Sequence, residues 1–216
     1  MIILGLTGSI GMGKSTAASM LRRLGVPLFD ADRAVHRLLA PGGAAVREVA
    51  EAFSGVRAGK GGIDRRLLGQ RVFTDIVALT RLEGILHPMV RAEEKRFLGR
   101  ARARRYRLAV LDIPLLFETA SERRCDYVIV VSAPALVQRQ RVLRRPGMTE
   151  IRLKAILQKQ LADEEKRRRA DFVVPTGLGK NLTLRRLHAI VRLFDTEGTC
   201  CHNQGLRAAR RPRRRQ

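Results

Sequence analysis

The sequence contains no tryptophan, and aromatic residues make up only 4% of it. A core built from this chain must rest on aliphatic packing, and the stacking platforms of single-strand nucleic-acid binders are missing. No apolar run approaches the roughly 18 residues of a membrane span. No basic segment followed by a long apolar stretch opens the chain either. The expectation is a cytoplasmic protein with no membrane partner. Cysteine is sparse: Cys125, Cys200 and Cys201. An odd count with an adjacent pair makes no disulfide framework. The run Cys200-Cys201-His202 cannot easily wrap one tetrahedral ion and has no partner cluster, so no structural zinc is expected.

Acidic residues are also few. There are 20 of them against 43 basic residues, for a formal charge of +23. Only seven of the basic residues are lysine, and six arginines lie between Arg207 and Arg215 with no acid among them. Setting those six aside leaves +17. Such a charge fits nucleic-acid binding. With no recognisable nucleic-acid module, the weightier reading is an arginine-for-lysine bias combined with a phosphate-rich substrate. No specific nucleic-acid partner is expected. Oligomeric state is left open. A chain of 216 residues suits one α/β domain with room for a small insert.

What the chain does contain is concentrated at its start. Met1 to Leu6 is a short apolar run, followed by Thr7-Gly8-Ser9-Ile10-Gly11-Met12-Gly13-Lys14-Ser15-Thr16. Gly8, Gly13, Lys14 and Ser15 satisfy G-x-x-x-x-G-K-[ST], the phosphate-binding loop. Glycines let successive N–H groups turn inward around an anion. Lys14 places a point charge beside the β- and γ-phosphates. The Ser15 hydroxyl is placed to ligate Mg²⁺. A helix from about Lys14 adds the positive end of its dipole. The flanks agree: Ile2 to Leu6 reads as a buried strand, and Ala17 to Leu24 as a helix with Met20, Leu21 and Leu24 at helical spacing. A chance glycine-rich turn would lack these flanks.

Gly25-Val26-Pro27-Leu28-Phe29 closes that helix and begins a second strand, which delivers Asp30-Ala31-Asp32 at its carboxyl end. Open parallel sheets bind ligands there. Alternation predicts that one acid caps the next helix and the other points into the cleft; spacing does not say which. Ala44 to Phe53, Ile63 to Phe73 and Ile76 to Arg105 read as helices, the last interrupted near His87-Pro88. Leu108 to Ile113 is a buried strand containing Asp112, in the manner of the second nucleotide-site motif. Tyr127 to Val131 and Asp171 to Val174 are further strands. Between them, Ala133 to Leu143 and a helix from Thr149 flank Arg144-Arg145-Pro146-Gly147, the plan of a basic lid. An ordinary hairpin with exposed arginines is the plainer alternative. Leu182 to Phe194 is the last helix, and the chain from Gly198 reads as a basic, disordered tail.

Together these residues resemble the dephospho-CoA kinase family over about Ile2 to Phe194. Leu4 to Thr16 resembles its opening; Gly25-Val26-Pro27 and Asp30-Ala31-Asp32 follow at its spacing. Pro41-Gly42, Asp64-Arg65, Leu68, Val72-Phe73, Leu82-Glu83, Ile85-Leu86-His87-Pro88 and Arg91 resemble its helical region. Asp112 to Glu118 resembles its third-strand motif. Gln138, Arg141 and Arg145 resemble its lid, and Gln160, Glu165, Lys166 and Ala170 to Val173 its closing segment.

The resemblance implies a P-loop kinase fold: three layers, α/β/α, with a five-stranded parallel sheet, a helical substrate-binding insert and a lid. It implies one domain over 1–197, with its core in 1–40, 106–135 and 170–197, a CoA-binding insert over about 41–105 and a lid over about 136–169. The implied reaction moves the γ-phosphoryl of ATP, with Mg²⁺, to the ribose 3′-hydroxyl of dephospho-CoA. Implied catalytic residues are Asp32 as general base, Lys14, Arg141 and Arg145. Gly8, Gly11, Met12, Gly13, Lys14, Ser15 and Thr16 would bind the nucleotide, with Ser15 on the metal. Asp32, His87, Arg91, Pro114, Leu115, Phe117 and Glu118 would contact dephospho-CoA. Two positions depart from the family pattern: Met12, where a smaller residue is common, and Pro175-Thr176, where Asp-Asn is common near the adenine. Other small-molecule kinases on the same fold are the nearest rivals. A GTPase-type switch is weaker: Asp195-Thr196-Glu197-Gly198 reads D-x-x-G but follows the last helix, with no guanine motif. An ATP-dependent nucleic-acid-binding protein is the non-enzyme alternative.

Overall fold

The computed structural model describes residues 1–73 and 75–195. The expected tail, Cys200-Cys201-His202 and most of the D-x-x-G run lie outside the described residues. In chain order the elements are β1 (Ile2–Thr7), α1 (Lys14–Arg23), β2 (Leu28–Asp30), α2 (Ala31–Leu39), α3 (Val46–Ala52), α4 (Arg65–Phe73), α5 (Ile76–Ala103), β3 (Leu108–Asp112), β4 (Tyr127–Ser132), α6 (Ala135–Leu143), α7 (Glu150–Lys159), α8 (Asp163–Arg169), β5 (Phe172–Pro175) and α9 (Lys180–Asp195). They fall into two compact units: Met1–Phe29 with the chain from Ala101 onward, and Asp30–Arg100.

The first unit carries an open five-stranded parallel sheet in the order β2-β3-β1-β4-β5. β3 is buried at every position, and β1 and β4 nearly so. Unbroken aliphatic runs of this kind belong to strands covered on both faces. β5 alternates buried and exposed, as its place at the edge requires. Two acids finish the amino ends of the ladder: Asp126 Oδ2 accepts the Ile3 N–H and Asp171 Oδ2 the Val128 N–H, each at 2.8 Å. α1 and α9 pack together against the sheet, bringing Leu21, Leu187 and Ile190 onto Leu4, Val110 and Ile129. Tyr127, Phe172 and Phe194 form an aromatic cluster, with centroids 5.0 to 6.0 Å apart. Most of the remaining core is aliphatic, with Phe29, Phe53 and Phe117 also buried.

β1 lies at the centre, with β3 on one side and β4 on the other. The chain leaves β1 at Thr7 and enters α1 at Lys14, so residues 8–13 sit where strand order reverses. Ligands of open α/β sheets bind there.

The second unit is helical. Leu38, Val49, Phe53, Val56, Leu68, Leu82 and Leu86 bury a separate apolar cluster. One expectation is corrected here: α5 runs unbroken from Ile76 to Ala103 with Pro88 inside it. Proline removes one helical hydrogen bond and crowds the carbonyl four residues back. That residue is Gly84; both it and Pro88 are exposed, so water can take the freed carbonyl. The helix therefore continues where a buried one would break.

Candidate functional site

The loop 8–13 is shaped by close approach as much as by glycine's freedom. A Cβ on Gly8 would come within 2.5 Å of the Val131 side chain and 2.8 Å of its carbonyl on β4. Gly13 stands at φ 85°, a left-handed conformation, as the residue that caps α1. Met12 departs from the expected small residue, yet it is buried, and its Sδ accepts the Ala133 N–H at 3.1 Å. Its bulk is absorbed by the core.

Side chains from distant elements hold this loop. Gln138 Nε2 on α6 donates to the Ile10 carbonyl at 2.8 Å, and the Ile10 N–H donates to Gln160 Oε1 at 3.1 Å. The Thr176 hydroxyl donates to the Met12 carbonyl at 2.7 Å. Arg141 donates from Nη2 to the Thr176 carbonyl at 2.7 Å and from Nη1 to the Thr176 hydroxyl at 3.2 Å and the Gly11 carbonyl at 3.4 Å. Pro175-Thr176, a departure from the family pattern, is thus part of the loop's support. In the sequence, Gln138 and Gln160 stand out only as matches to the family pattern. Their partners lie 128 and 150 residues away, beyond any local signal.

Lys14, the first residue of α1, places Nζ 2.8 Å from Asp112 Oδ1 at the end of β3. The strand register explains the meeting: Asp112 pairs with Leu6, next to the residue from which the loop departs. Asp112 is buried and Lys14 is partly accessible, so the ammonium can reach a ligand while its counter-charge stays inside. Ser15 and Thr16 follow on the exposed side of the first turn, and Ser15 makes no side-chain hydrogen bond among the described residues. No group of three or more His, Cys, Asp or Glu suited to a metal occurs among the described residues. One free hydroxyl and one nearby carboxylate fit a hard cation such as Mg²⁺, which arrives with phosphate oxygens and keeps its waters.

Asp30 and Asp32 now separate. Asp30 is the N-cap of α2, its Oδ1 accepting the Arg33 N–H at 2.9 Å. Asp32 lies in the first turn, exposed, with no hydrogen bond or ion pair among the described residues. His87 and Arg91 lie one turn apart on α5, both exposed.

The 114–118 segment behaves less uniformly than its pattern implied. The Pro114 carbonyl accepts the Thr7 hydroxyl at 2.8 Å, Leu115 is exposed, and Phe117 is buried. Glu118 accepts the Leu161 N–H at 2.9 Å and pairs with Lys166 at 2.9 Å. Lys166 is fully buried in α8, amid a run that reads as solvated charge. Burial by itself would raise the Glu118 pKa, but the Lys166 ammonium beside it and the Leu161 N–H together hold it below the usual carboxylate value. In the lid segment, Arg139 pairs with Glu150 across the turn between α6 and α7. Arg145 is exposed in that turn, with no side-chain partner among the described residues.

Residues 2–178 match the sequence model of the dephospho-CoA kinase family. A dephospho-CoA kinase of Paramagnetospirillum magneticum is 64% identical over 194 residues, which cover 90% of this chain and 91% of that protein. A solved Thermus thermophilus structure superposes with a TM-score of 0.80 at 36% identity, covering 92% of this chain and 98% of that one. The dephospho-CoA kinase of Campylobacter jejuni superposes with a TM-score of 0.62 at 25% identity, covering 89% and 96%.

Proposed function

The chain belongs to the dephospho-CoA kinase family, and we propose from that premise which residues carry the transfer it catalyses, from ATP to dephospho-CoA to give coenzyme A. The observation that carries the assignment is the Lys14–Asp112 contact at the mouth of the glycine loop. It puts a fixed pair of opposite charges where a triphosphate would enter.

Gly8, Gly11 and Gly13 offer backbone to the phosphates, and Met12 holds the loop between them through its bonds to Ser9 and Thr176. Lys14 neutralises the phosphate charge, and Thr16 closes the loop's contacts from the first turn of α1. Ser15, and Asp112 through water, would hold Mg²⁺, which supplies charge neutralisation on the phosphate oxygens. Asp32 accepts or orients the proton of the ribose 3′-hydroxyl; its lack of any competing partner among the described residues leaves it available for that role. Arg145 closes over the moving phosphoryl, and Arg141 presents its charge from the base of the loop. His87, Arg91, Pro114 and Leu115 contact dephospho-CoA. Phe117 and Glu118 act behind them, Phe117 from the core and Glu118 through its pairing with Lys166. Residues 41–105 serve as the CoA-binding insert and 136–169 as the lid, in a cytoplasmic enzyme. No helix among the described residues is long and apolar enough to cross a membrane.

Catalysis of this kind is positioning and charge stabilisation, with no covalent intermediate required of the protein. The test is ATP consumption with dephospho-CoA against a panel of nucleosides, nucleotides and sugars, using wild type and Lys14→Ala. Consumption specific to dephospho-CoA and lost with Lys14 is expected. Preference for another acceptor overturns the reading.

A further inference from the structure

We infer that Gln138 and Gln160 are positioning residues for nucleotide binding: they grip both backbone polar groups of Ile10 and so set the curvature of the phosphate loop. The inference rests on the reading above that residues 8–16 hold the triphosphate.

Ile10 sits at the crest of the loop. Its carbonyl accepts from Gln138 Nε2 at 2.8 Å and its N–H donates to Gln160 Oε1 at 3.1 Å. The two side chains come from different places. Gln138 is a buried residue of α6. Gln160 is the C-cap of α7, its backbone N–H bonded to the Leu157 carbonyl. The Ile10 N–H is therefore committed to a side chain and is not one of the loop's free donors.

Peptide planarity turns this grip into a constraint on the anion site. A peptide's carbonyl and the N–H of the next residue point in opposite directions. With the Ile10 carbonyl held by Gln138, the Gly11 N–H is aimed the other way. With the Met12 carbonyl held by Thr176, the same applies to the Gly13 N–H. The Met12 N–H is already taken by the Ser9 carbonyl at 3.1 Å. Gly11 stands at φ 76° and Gly13 at φ 85°, so nothing in their own torsional preferences would keep these donors pointed at a phosphate. The external hydrogen bonds supply that direction.

Gln160 adds a second consequence. The next residue, Leu161, donates its N–H to Glu118, and Lys166 one turn into α8 pairs with the same carboxylate. The strap from Gln160 to Lys166 is thus pinned to the segment after β3 at one end of its contacts and to Ile10 at the other. Displacing the carboxyl end of α7 pulls on the loop through Gln160.

The experiment uses the full chain with Gln160→Met, Gln138→Met and the double variant. ADP affinity is measured by calorimetry, and KM for each substrate by steady-state assay. Loss of one hydrogen bond that orients the loop should weaken ADP binding about tenfold and raise KM for ATP by a similar factor. KM for dephospho-CoA should stay within about twofold, a split that a general loss of structure would not produce. The double variant should be little worse than the weaker single one, because both bonds fix the same residue and loss of either lets Ile10 turn about its φ and ψ. Gln160 is half-exposed, so Gln160→Met decides the matter alone if the buried Gln138→Met does not fold. ADP affinity within about twofold of wild type in Gln160→Met, or an equal rise in KM for both substrates, overturns the inference. Wild type that ignores dephospho-CoA would overturn the acceptor assignment instead, and the ADP titrations would still decide this one.

Discussion

Lys14 Nζ meets Asp112 Oδ1 at 2.8 Å, joining the first residue of α1 to the last residue of β3. Neither residue can be neutralised without changing the charge at the loop's mouth. Lys14→Ala removes a cation from the developing phosphoryl charge and should lower kcat/KM for ATP by about 10² to 10³. Asp112→Asn keeps the shape but not the charge, and should raise the Mg²⁺ concentration needed for half-maximal rate. Steady-state assays across a Mg²⁺ titration measure both. A Lys14→Ala enzyme within about threefold of wild type would remove the phosphate assignment.

Asp30 and Asp32 should respond in opposite ways. Asp30→Ala removes a helix cap and should cost about 1 kcal/mol of stability, while Asp30→Asn, still a good cap, should cost little. Asp32→Asn should leave the melting temperature near wild type and lower kcat by about 10² or more, as loss of a general base does. KM for ATP should barely move. Unchanged turnover in Asp32→Asn would show that the proton is handled elsewhere.

The two lid arginines should also divide. Arg141 is hydrogen-bonded to Gly11 and Thr176, so Arg141→Ala should lower both thermal stability and ATP affinity. Arg145 has no such partner among the described residues, so Arg145→Ala should spare stability and lower kcat, by about tenfold or more. Thermal melts beside single-turnover rates distinguish them; equal destabilisation in the two variants would contradict the division.

Glu118 predicts a pH dependence. Its pKa is lower in the folded chain than in the unfolded one. The stabilisation it gives is therefore present above the ordinary glutamate value of 4.5 and is lost as pH falls through the folded value. Glu118→Gln leaves the buried Lys166 without its charge partner and should cost about 2 kcal/mol near neutrality. That difference from wild type should shrink as pH falls below about 4.5, because the unfolded chain takes up the proton first and the folded carboxyl follows at its lower value. Urea unfolding of both proteins from pH 7 to pH 3 measures it. A gap that stays constant across the range would mean the ion pair contributes nothing.

The nucleotide half of the site was legible because its signal is contiguous. Gly8 to Ser15 lies on one turn between a buried strand and a helix, and Asp112 follows an apolar run. What stayed hidden depends on contacts between distant residues. Whether Asp30 or Asp32 caps α2 is decided by where the helix begins, at Ala31, and spacing treats the two alike. Nothing local ties Glu118 to its partner, Lys166, which stands in Asp163–Arg169, seven charged residues in succession that resemble a solvated face. One of the seven is fully buried. Pro88 reads as a helix break by a rule that assumes the freed carbonyl has no water. The glutamines on Ile10 have no local signature at all.

Thr176 offers the sharpest test of how the loop is held. Its hydroxyl donates to the Met12 carbonyl at 2.7 Å and accepts from Arg141 at 3.2 Å, while a Cβ on Gly13 would lie 3.1 Å from that same oxygen. Thr176→Val keeps the volume and the β-branch but leaves the Met12 carbonyl without this donor and Arg141 Nη1 with only its longer contact to the Gly11 carbonyl. The expected cost is about 1–2 kcal/mol of stability, or roughly 2–8 °C in melting temperature for a chain of this size. ADP affinity should fall several-fold with it, because the Gly13 N–H is no longer held in direction. Thr176→Ser retains the hydroxyl and should keep ADP affinity near wild type. Equal ADP affinity in the valine and serine variants would mean that the hydroxyl does not orient the loop, and that Thr176 contributes through packing alone.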